Sequence, residues 1–253
     1  MTEHKTALVT GASRGLGRAT ARALARRGMK VVLTYRSGAD GAAETVRMIE
    51  DEGGTAIALR LDISDVGSFK QFADELTDEV RTRWGSDELD VLVNNAGVGH
   101  FDALEDVTPE RFDEMVGTNF RGTFFLIQAL VPHLADHGRI VNVSTSLTRH
   151  VSPGTSVYSA SKAAVEALSR SLAGELGARG IRANAVAPGP SATDFNGGAM
   201  RDDPELRGFL AGQTALGRVG SPDEIGDAIA ALVSTDMRWV TAERLEVSGG
   251  ALL

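Results

Sequence analysis

The stretch Thr10-Gly11-Ala12-Ser13-Arg14-Gly15-Leu16-Gly17 constrains this chain more than any other. Ahead of it, Thr6-Ala7-Leu8-Val9-Thr10 is a short apolar run suited to a buried strand. Behind it, Arg18 to Arg27 places apolar residues at helical spacing until Gly28 stops them. Glycines at the junction of a first strand and a first helix let the backbone pass close to a pyrophosphate. They also leave the N–H groups of the helix's first turn aimed at its charge. Many surface turns are glycine-rich as well; the strand before and the helix after are what favour a nucleotide site.

The same alternation runs to the end of the chain. Further strands are predicted at Lys30–Thr34, Thr55–Leu61, Leu89–Val93, Gly138–Val143, Ile181–Ala187 and Arg244–Val247. Helices are predicted at Asp40–Asp51, at about Val66–Trp84, from Thr108 and Pro109 to about Ala135, over about Thr155–Arg179, and at Ser221–Ser234. Seven strands separated by helices predict an α/β fold, a doubly wound seven-stranded parallel sheet with helices on both faces, in a single domain over residues 1–253. Pro188 to Gly220 reads as one long irregular connection after a strand's C-terminal end. Ligands bind at that edge of such sheets, so a substrate-covering segment is expected at about 189–220; a variable surface excursion is the alternative.

Composition removes several other classes of function. A formal charge of −8 argues against a phosphate-backbone binder, so no nucleic-acid partner is expected. The absence of cysteine rules out disulfides, thiolate metal sites and a cysteine nucleophile. Thr123 to Val131 is too short for a membrane span and contains Gln128, and Met1–Lys5 leads straight into the first strand, so the expectation is a cytoplasmic protein without a membrane partner. His100, His133, His137 and His150 lack metal-ligand spacing, and no metal is expected. His100 and His150 follow strand ends, where they line a pocket or lie in surface loops. Asp202-Asp203-Pro204-Glu205 reads as a solvated helix start.

Three further groups join the glycine turn: Asn94-Asn95-Ala96-Gly97 after the fourth strand, Tyr158-Ser159-Ala160-Ser161-Lys162 within a long helix, and Pro188-Gly189-Pro190-Ser191-Ala192-Thr193 after the sixth strand. Tyr158 and Lys162 stand four apart and so share a helix face. A free phenol has a pKa of about 10, and a nearby ammonium is expected to lower it and so equip Tyr158 to exchange a proton with a carbonyl or alcohol oxygen. In order and spacing these motifs resemble the short-chain dehydrogenase/reductase family, in its single-domain branch. The likeness runs from Lys5 to Gly250 and is strongest to members of the 3-oxoacyl-carrier-protein-reductase type.

That resemblance implies a Rossmann-type sheet and hydride transfer between NADP(H) and a small carbonyl or secondary-alcohol substrate. Ketone reduction is the favoured direction. A non-catalytic NADP(H) sensor and an epimerase with an internal redox step are the alternatives. It implies Tyr158 as proton donor and Lys162 as the holder of the nicotinamide ribose. The family's substrate-binding serine, thirteen residues before the tyrosine, is here Thr145, flanked by Ser144 and by Ser146 as the alternative. A threonine hydroxyl has the same donor and acceptor capacity, on a stiffer side chain. Asn119 matches the family's asparagine, which supports a water linked to the lysine.

For the cofactor, the resemblance implies contacts from Gly11, Ser13, Arg14, Gly15, Leu16 and Gly17, from Asp62 and Ile63 at the adenine, and from Asn94, Ala96 and Gly97 at the adenosine ribose and backbone. Pro188, Gly189, Ser191 and Thr193 would border the nicotinamide. Where NAD-preferring members carry an acid after the second strand, this chain has Tyr35, Arg36 and Ser37. A guanidinium there, with Arg14 as a second cation, suits a 2′-phosphate, so NADP(H) is expected over NAD(H). Pocket walls are expected from Val98–Phe101, Leu147–Gly154 and Phe195–Gly212. The resemblance also implies a homotetramer or homodimer, assembled through the helices at Thr108–Ala135 and Thr155–Arg179 and the last strand.

Overall fold

The computed structural model describes residues 5–86 and 88–253; the lead Met1–His4 lies outside them. The strands are β1 (Thr6–Val9), β2 (Lys30–Tyr35), β3 (Thr55–Arg60), β4 (Leu89–Asn94), β5 (Leu134–Val143), β6 (Arg182–Pro188) and β7 (Arg244–Val247). They form one sheet in the order β3-β2-β1-β4-β5-β6-β7, and every neighbouring pair is parallel. The helices are α1 (Gly15–Arg26), α2 (Ala39–Asp51), α3 (Phe69–Trp84), α4 (Pro109–Val116), α5 (Thr123–Leu130), α6 (Ser156–Leu176), α7 (Ala199–Asp202), α8 (Pro204–Gly212) and α9 (Pro222–Leu232).

The central strands are apolar throughout because alternate residues enter different cores. Ala7, Val9, Val31, Leu33, Val91 and Val93 pack with Leu24 of α1, Ile49 of α2 and Ile229 of α9. Leu8, Val32, Leu92 and Ile140 pack on the opposite face with Phe72 and Leu76 of α3, Leu126 and Leu130 of α5, and Leu168 and Leu172 of α6. The sheet order reverses between β1 and β4, and the crevice at that switch opens beside the glycine turn after β1.

Two expectations need correction. The helix predicted from Thr108 to Ala135 is interrupted by a π-turn at Gly117–Gly122, ends as a 3₁₀ turn at Val131–His133 around Pro132, and gives way to β5 at Leu134. The π-turn lies where the helix presses on the carbonyl of Ile63; a Cβ at Gly122 would collide with that oxygen. The connection from Pro188 to Gly220 is also less irregular than expected. After a 3₁₀ turn at Phe195–Gly198 it carries α7 and α8, and Asp203 caps α8 by accepting hydrogen bonds from the Glu205 and Leu206 amides. Asp203 is thus the helix start that the acidic run predicted.

Candidate active site

The glycine turn is braced from β4. The Asn95 side chain donates to the carbonyls of Thr10 (2.9 Å) and Gly11 (3.2 Å), and the Thr10 hydroxyl accepts from the amides of Asn95 and Ala96, both at 3.0 Å. A Cβ at Gly17 would lie 2.6 Å from Asn95 Nδ2, so the helix can start this close to β4 only with glycine there. Thr10 and Asn95 carry no assigned site role in the sequence; their hydrogen bonds join the loop after β4 to the turn after β1, and only the strand-end position of each hints at them.

Arg14 occupies the N-cap of α1 without a side-chain cap, and the first turn holds no acidic residue. Its amides are therefore available to an anion. Gly11 and Gly15 have φ values of +64° and +57°, which turn the backbone around that position. At the neighbouring edge Arg36 is exposed and Tyr35 half-buried. Burial raises the Asp62 carboxyl, but hydrogen bonds from Ser64 and the charges of Arg36 and Arg60 outweigh it and leave the group below its ordinary value. Asp62 accepts from the Ser64 amide (2.9 Å) and hydroxyl (2.6 Å), beside buried Ile63. An uncapped helix end, glycines with positive φ and a flanking arginine fit a dinucleotide carrying a 2′-phosphate.

Asn94 lies at the end of β4. Its amide donates to Asn142 Oδ1 at 2.8 Å, and Asn142 donates to Ser169 Oγ at 2.9 Å. The side-chain amide is built into a buried polar chain linking β4, β5 and α6, while its Oδ1 has no partner among the described residues. Ala96 and Gly97 remain at the crevice.

Tyr158 and Lys162 lie on α6, both buried. Lys162 Nζ donates to the Val143 carbonyl at 2.8 Å, which sets the ammonium against the end of β5. Burial pushes the Tyr158 phenol up to about 12, with a hydrogen bond to Thr145 pulling the other way, and burial pushes Lys162 down to about 8. The expected lowering of the phenol by the ammonium is therefore not what the site shows. Loss of hydration dominates both groups, and the Tyr158 phenol keeps its proton at pH 7.

Thr145 follows β5 in an extended conformation, and its Oγ1 accepts the Leu147 amide at 3.3 Å. That leaves the hydroxyl's own proton to be donated. Of the three hydroxyls in the run, Thr145 is the one that acts on the Tyr158 phenol, whereas Ser144 Oγ donates to Glu166 at 2.6 Å. Ser146 is buried in the 3₁₀ turn that follows.

Asn119 sits inside the π-turn. Its Oδ1 accepts the Val98 amide at 2.9 Å, and its Nδ2 donates to the Val98 carbonyl (2.9 Å) and Ser161 Oγ (3.1 Å). The side chain thus ties the loop after β4 to α6. Gly97 lies between: a Cβ there would be 2.9 Å from Asn119 Oδ1 and 3.3 Å from Lys162 Nζ.

The phenol ring is flanked by two others. Phe101 meets it edge-on at 5.6 Å and Phe195 lies tilted at 5.9 Å. Phe195 belongs to the segment after β6, where Gly189 N–H donates to the Val247 carbonyl, Ser191 Oγ to the Gly189 carbonyl, and Thr193 Oγ1 accepts the Phe195 amide. Two residues earlier, Thr193 approaches the glycine turn, 3.7 Å from where a Gly15 side chain would start. The cleft beside the Thr145 turn is lined by Leu104, Leu147, His150, Val151 and Ser159. His100 is held at the crevice edge by Glu114, 2.8 Å away.

Comparison with known proteins agrees with this geometry. The family profile described as Enoyl-(Acyl carrier protein) reductase matches residues 11–251. An uncharacterised oxidoreductase of Methylorubrum extorquens is 42% identical over 98% of both chains. A trihydroxynaphthalene reductase of Pestalotiopsis fici is 37% identical over 99% of this chain and 90% of its own. The crystal structure of an angucycline C-6 ketoreductase with bound NADP superposes with a TM-score of 0.93 at 42% identity, covering 99% of this chain and 96% of that one. With the sheet order, the glycine turn and the Tyr158–Lys162 pair already in place, these matches establish that the chain belongs to the short-chain dehydrogenase/reductase family.

Proposed function

We propose that this protein reduces ketones with NADPH. The observation that carries the proposal is a buried Tyr158, set against Thr145 and sharing a helix face with buried Lys162, at the crevice beside an uncapped α1. The α1 amides with Arg14 and Arg36 would hold the phosphates of NADPH, which when bound would supply the hydride. Thr145 donates to the substrate oxygen, and Tyr158 protonates that oxygen as hydride reaches the carbon. Lys162 holds the ribose and stabilises the phenolate left behind. Asn119 keeps the Val98 loop against α6.

The rings of Phe101 and Phe195 on either side of the phenol favour a flat substrate, and relatives include reductases of a trihydroxynaphthalene and an angucycline. The substrate class we assign is a fused-ring aromatic ketone. The segment at about 189–220 covers it, and the domain spans residues 1–253. The family resemblance further supports a homotetramer, to be checked by size-exclusion chromatography with light scattering. Among the described residues no helix is long and apolar enough to cross a membrane; we assign the chain to the cytoplasm.

The test is NADPH oxidation with 2-tetralone and 9,10-phenanthrenequinone. Tyr158→Phe should lower kcat by about 10²–10⁴-fold while NADPH affinity stays within a few-fold. Stoichiometric NADPH consumption separates reduction from epimerisation. Tight NADPH binding with no turnover across a broad ketone panel would overturn the assignment in favour of a sensor.

A further inference from the structure

Beneath Thr145 lies a charged cluster that the sequence scatters over distant elements. Arg244 of β7 and Glu166 of α6 are almost fully buried, with side chains 8% and 11% exposed, and Arg244 Nε donates to Glu166 Oε1 at 2.7 Å. Arg244 Nη1 pairs with Glu246, while Nη2 donates to the Thr145 carbonyl at 3.1 Å and to Thr148 Oγ1 at 3.0 Å. The same Glu166 oxygen accepts from Ser144 Oγ and lies 2.7 Å from Thr148 Oγ1. Apart from Glu246, every partner of this pair lies on the Ser144–Thr148 turn.

Burying such a pair is expensive, and a well-packed apolar replacement is commonly neutral or stabilising, so folding alone gives little reason for it. Its placement gives a better one. Glu166 follows Lys162 by four residues and Tyr158 by eight, so all three share one face of α6. The helix that presents the phenol therefore also anchors the guanidinium that fixes the hydroxyl facing it. A planar fork suits this task because Arg244 must reach a carboxylate, a carbonyl and a hydroxyl in set directions; an ammonium is a single point donor.

We infer that Arg244, oriented by Glu166, is a positioning residue of the reductase. It locks the backbone of Thr145 so that the threonine hydroxyl meets the Tyr158 phenol and the substrate oxygen together. The inference rests on the role given to Thr145 above. A displacement of about 1 Å at a catalytic group can cost about 10²-fold in rate.

The experiment is a double-mutant cycle on the full chain with NADPH and 9,10-phenanthrenequinone, alongside hydrogen–deuterium exchange of the 145–150 segment. Arg244→Met should lower kcat about 10- to 100-fold, leave the KM for NADPH within about twofold, and have no further effect in a Thr145→Ala background. Arg244→Lys should fail to restore kcat. Exchange of the 145–150 amides should quicken about tenfold while α6 and β6 keep the parent's rates. Glu166→Gln, a milder change, should show a smaller loss of kcat that also vanishes in Thr145→Ala, and it serves where Arg244→Met does not fold. An equal loss in both backgrounds, full rescue by lysine, or unchanged exchange in the turn would overturn this inference alone. Full kcat in Thr145→Ala would remove the role of Thr145, and the inference with it.

Discussion

Lys162→Met should make the cofactor-free protein more stable while abolishing its activity. Burial lowers the Lys162 ammonium from an ordinary 10.5 to about 8, so below pH 8 the folded chain bears the cost of a dehydrated charge that the unfolded chain does not. That drop corresponds to about 3 kcal/mol. Methionine fills a similar volume without charge but leaves the Val143 carbonyl, 2.8 Å from Nζ, without its donor, which returns about 1–2 kcal/mol. The net gain at pH 7 is about 1–2 kcal/mol, or about 2–4 °C in Tm for a chain of this length. The pH dependence carries the sign. Between about 8 and 10.5 the unfolded chain retains a proton that the folded chain has released, so the parent gains stability on the variant as pH rises. The two Tm curves should meet and cross at about pH 9, inside that window. Scanning calorimetry from pH 6 to 10.5 provides the test; a variant that melts below the parent at pH 7, or a gap that does not change with pH, would refute the reasoning.

Three other outcomes are expected. Arg36→Asp should shift the NADPH-to-NADH preference in kcat/KM by about 10- to 100-fold toward NADH, the worth of one charge-assisted hydrogen bond; an unaltered ratio would remove Arg36 from the 2′-phosphate site. Thr145→Ser should retain most of the turnover that Thr145→Ala loses, about 10²-fold in steady-state assays, because serine keeps the donor. Gly122→Ala should cost about 1–3 kcal/mol in denaturant unfolding, since the new methyl meets the rigid Ile63 carbonyl, and should lower kcat by loosening Asn119.

What the sequence conveys well is what local chemistry repeats. Each strand and helix that packs on the sheet announces itself through apolar periodicity, and the order of the glycine turn, Asn94–Gly97, Tyr158–Lys162 and Pro188–Thr193 places all four at one edge of a parallel sheet. The π-turn is invisible because Gly117-Thr118-Asn119-Phe120 suits an α-helix locally; the extra residue answers to Ile63, which arrives from another element. The Asn94 amide faces the sheet for a similar reason, since its partner Asn142 lies on the neighbouring strand. Charge effects were the least legible. A tyrosine and a lysine one turn apart suggest mutual attraction, but the depth of their burial is set by the whole fold, and it reverses the direction expected for the phenol. Arg244 and Glu166 look like ordinary solvated charges until β7 is laid beside β6.

The strand of chain following β6 has one further implication. Thr193 rests against the coenzyme's turn and Phe195 against the reactive phenol, with Gly197 and Gly198 in left-handed conformations immediately after. A single backbone therefore touches two parts of the crevice. A change in this short stretch reaches the glycine turn and the ring beside Tyr158 together, and cannot be confined to either one.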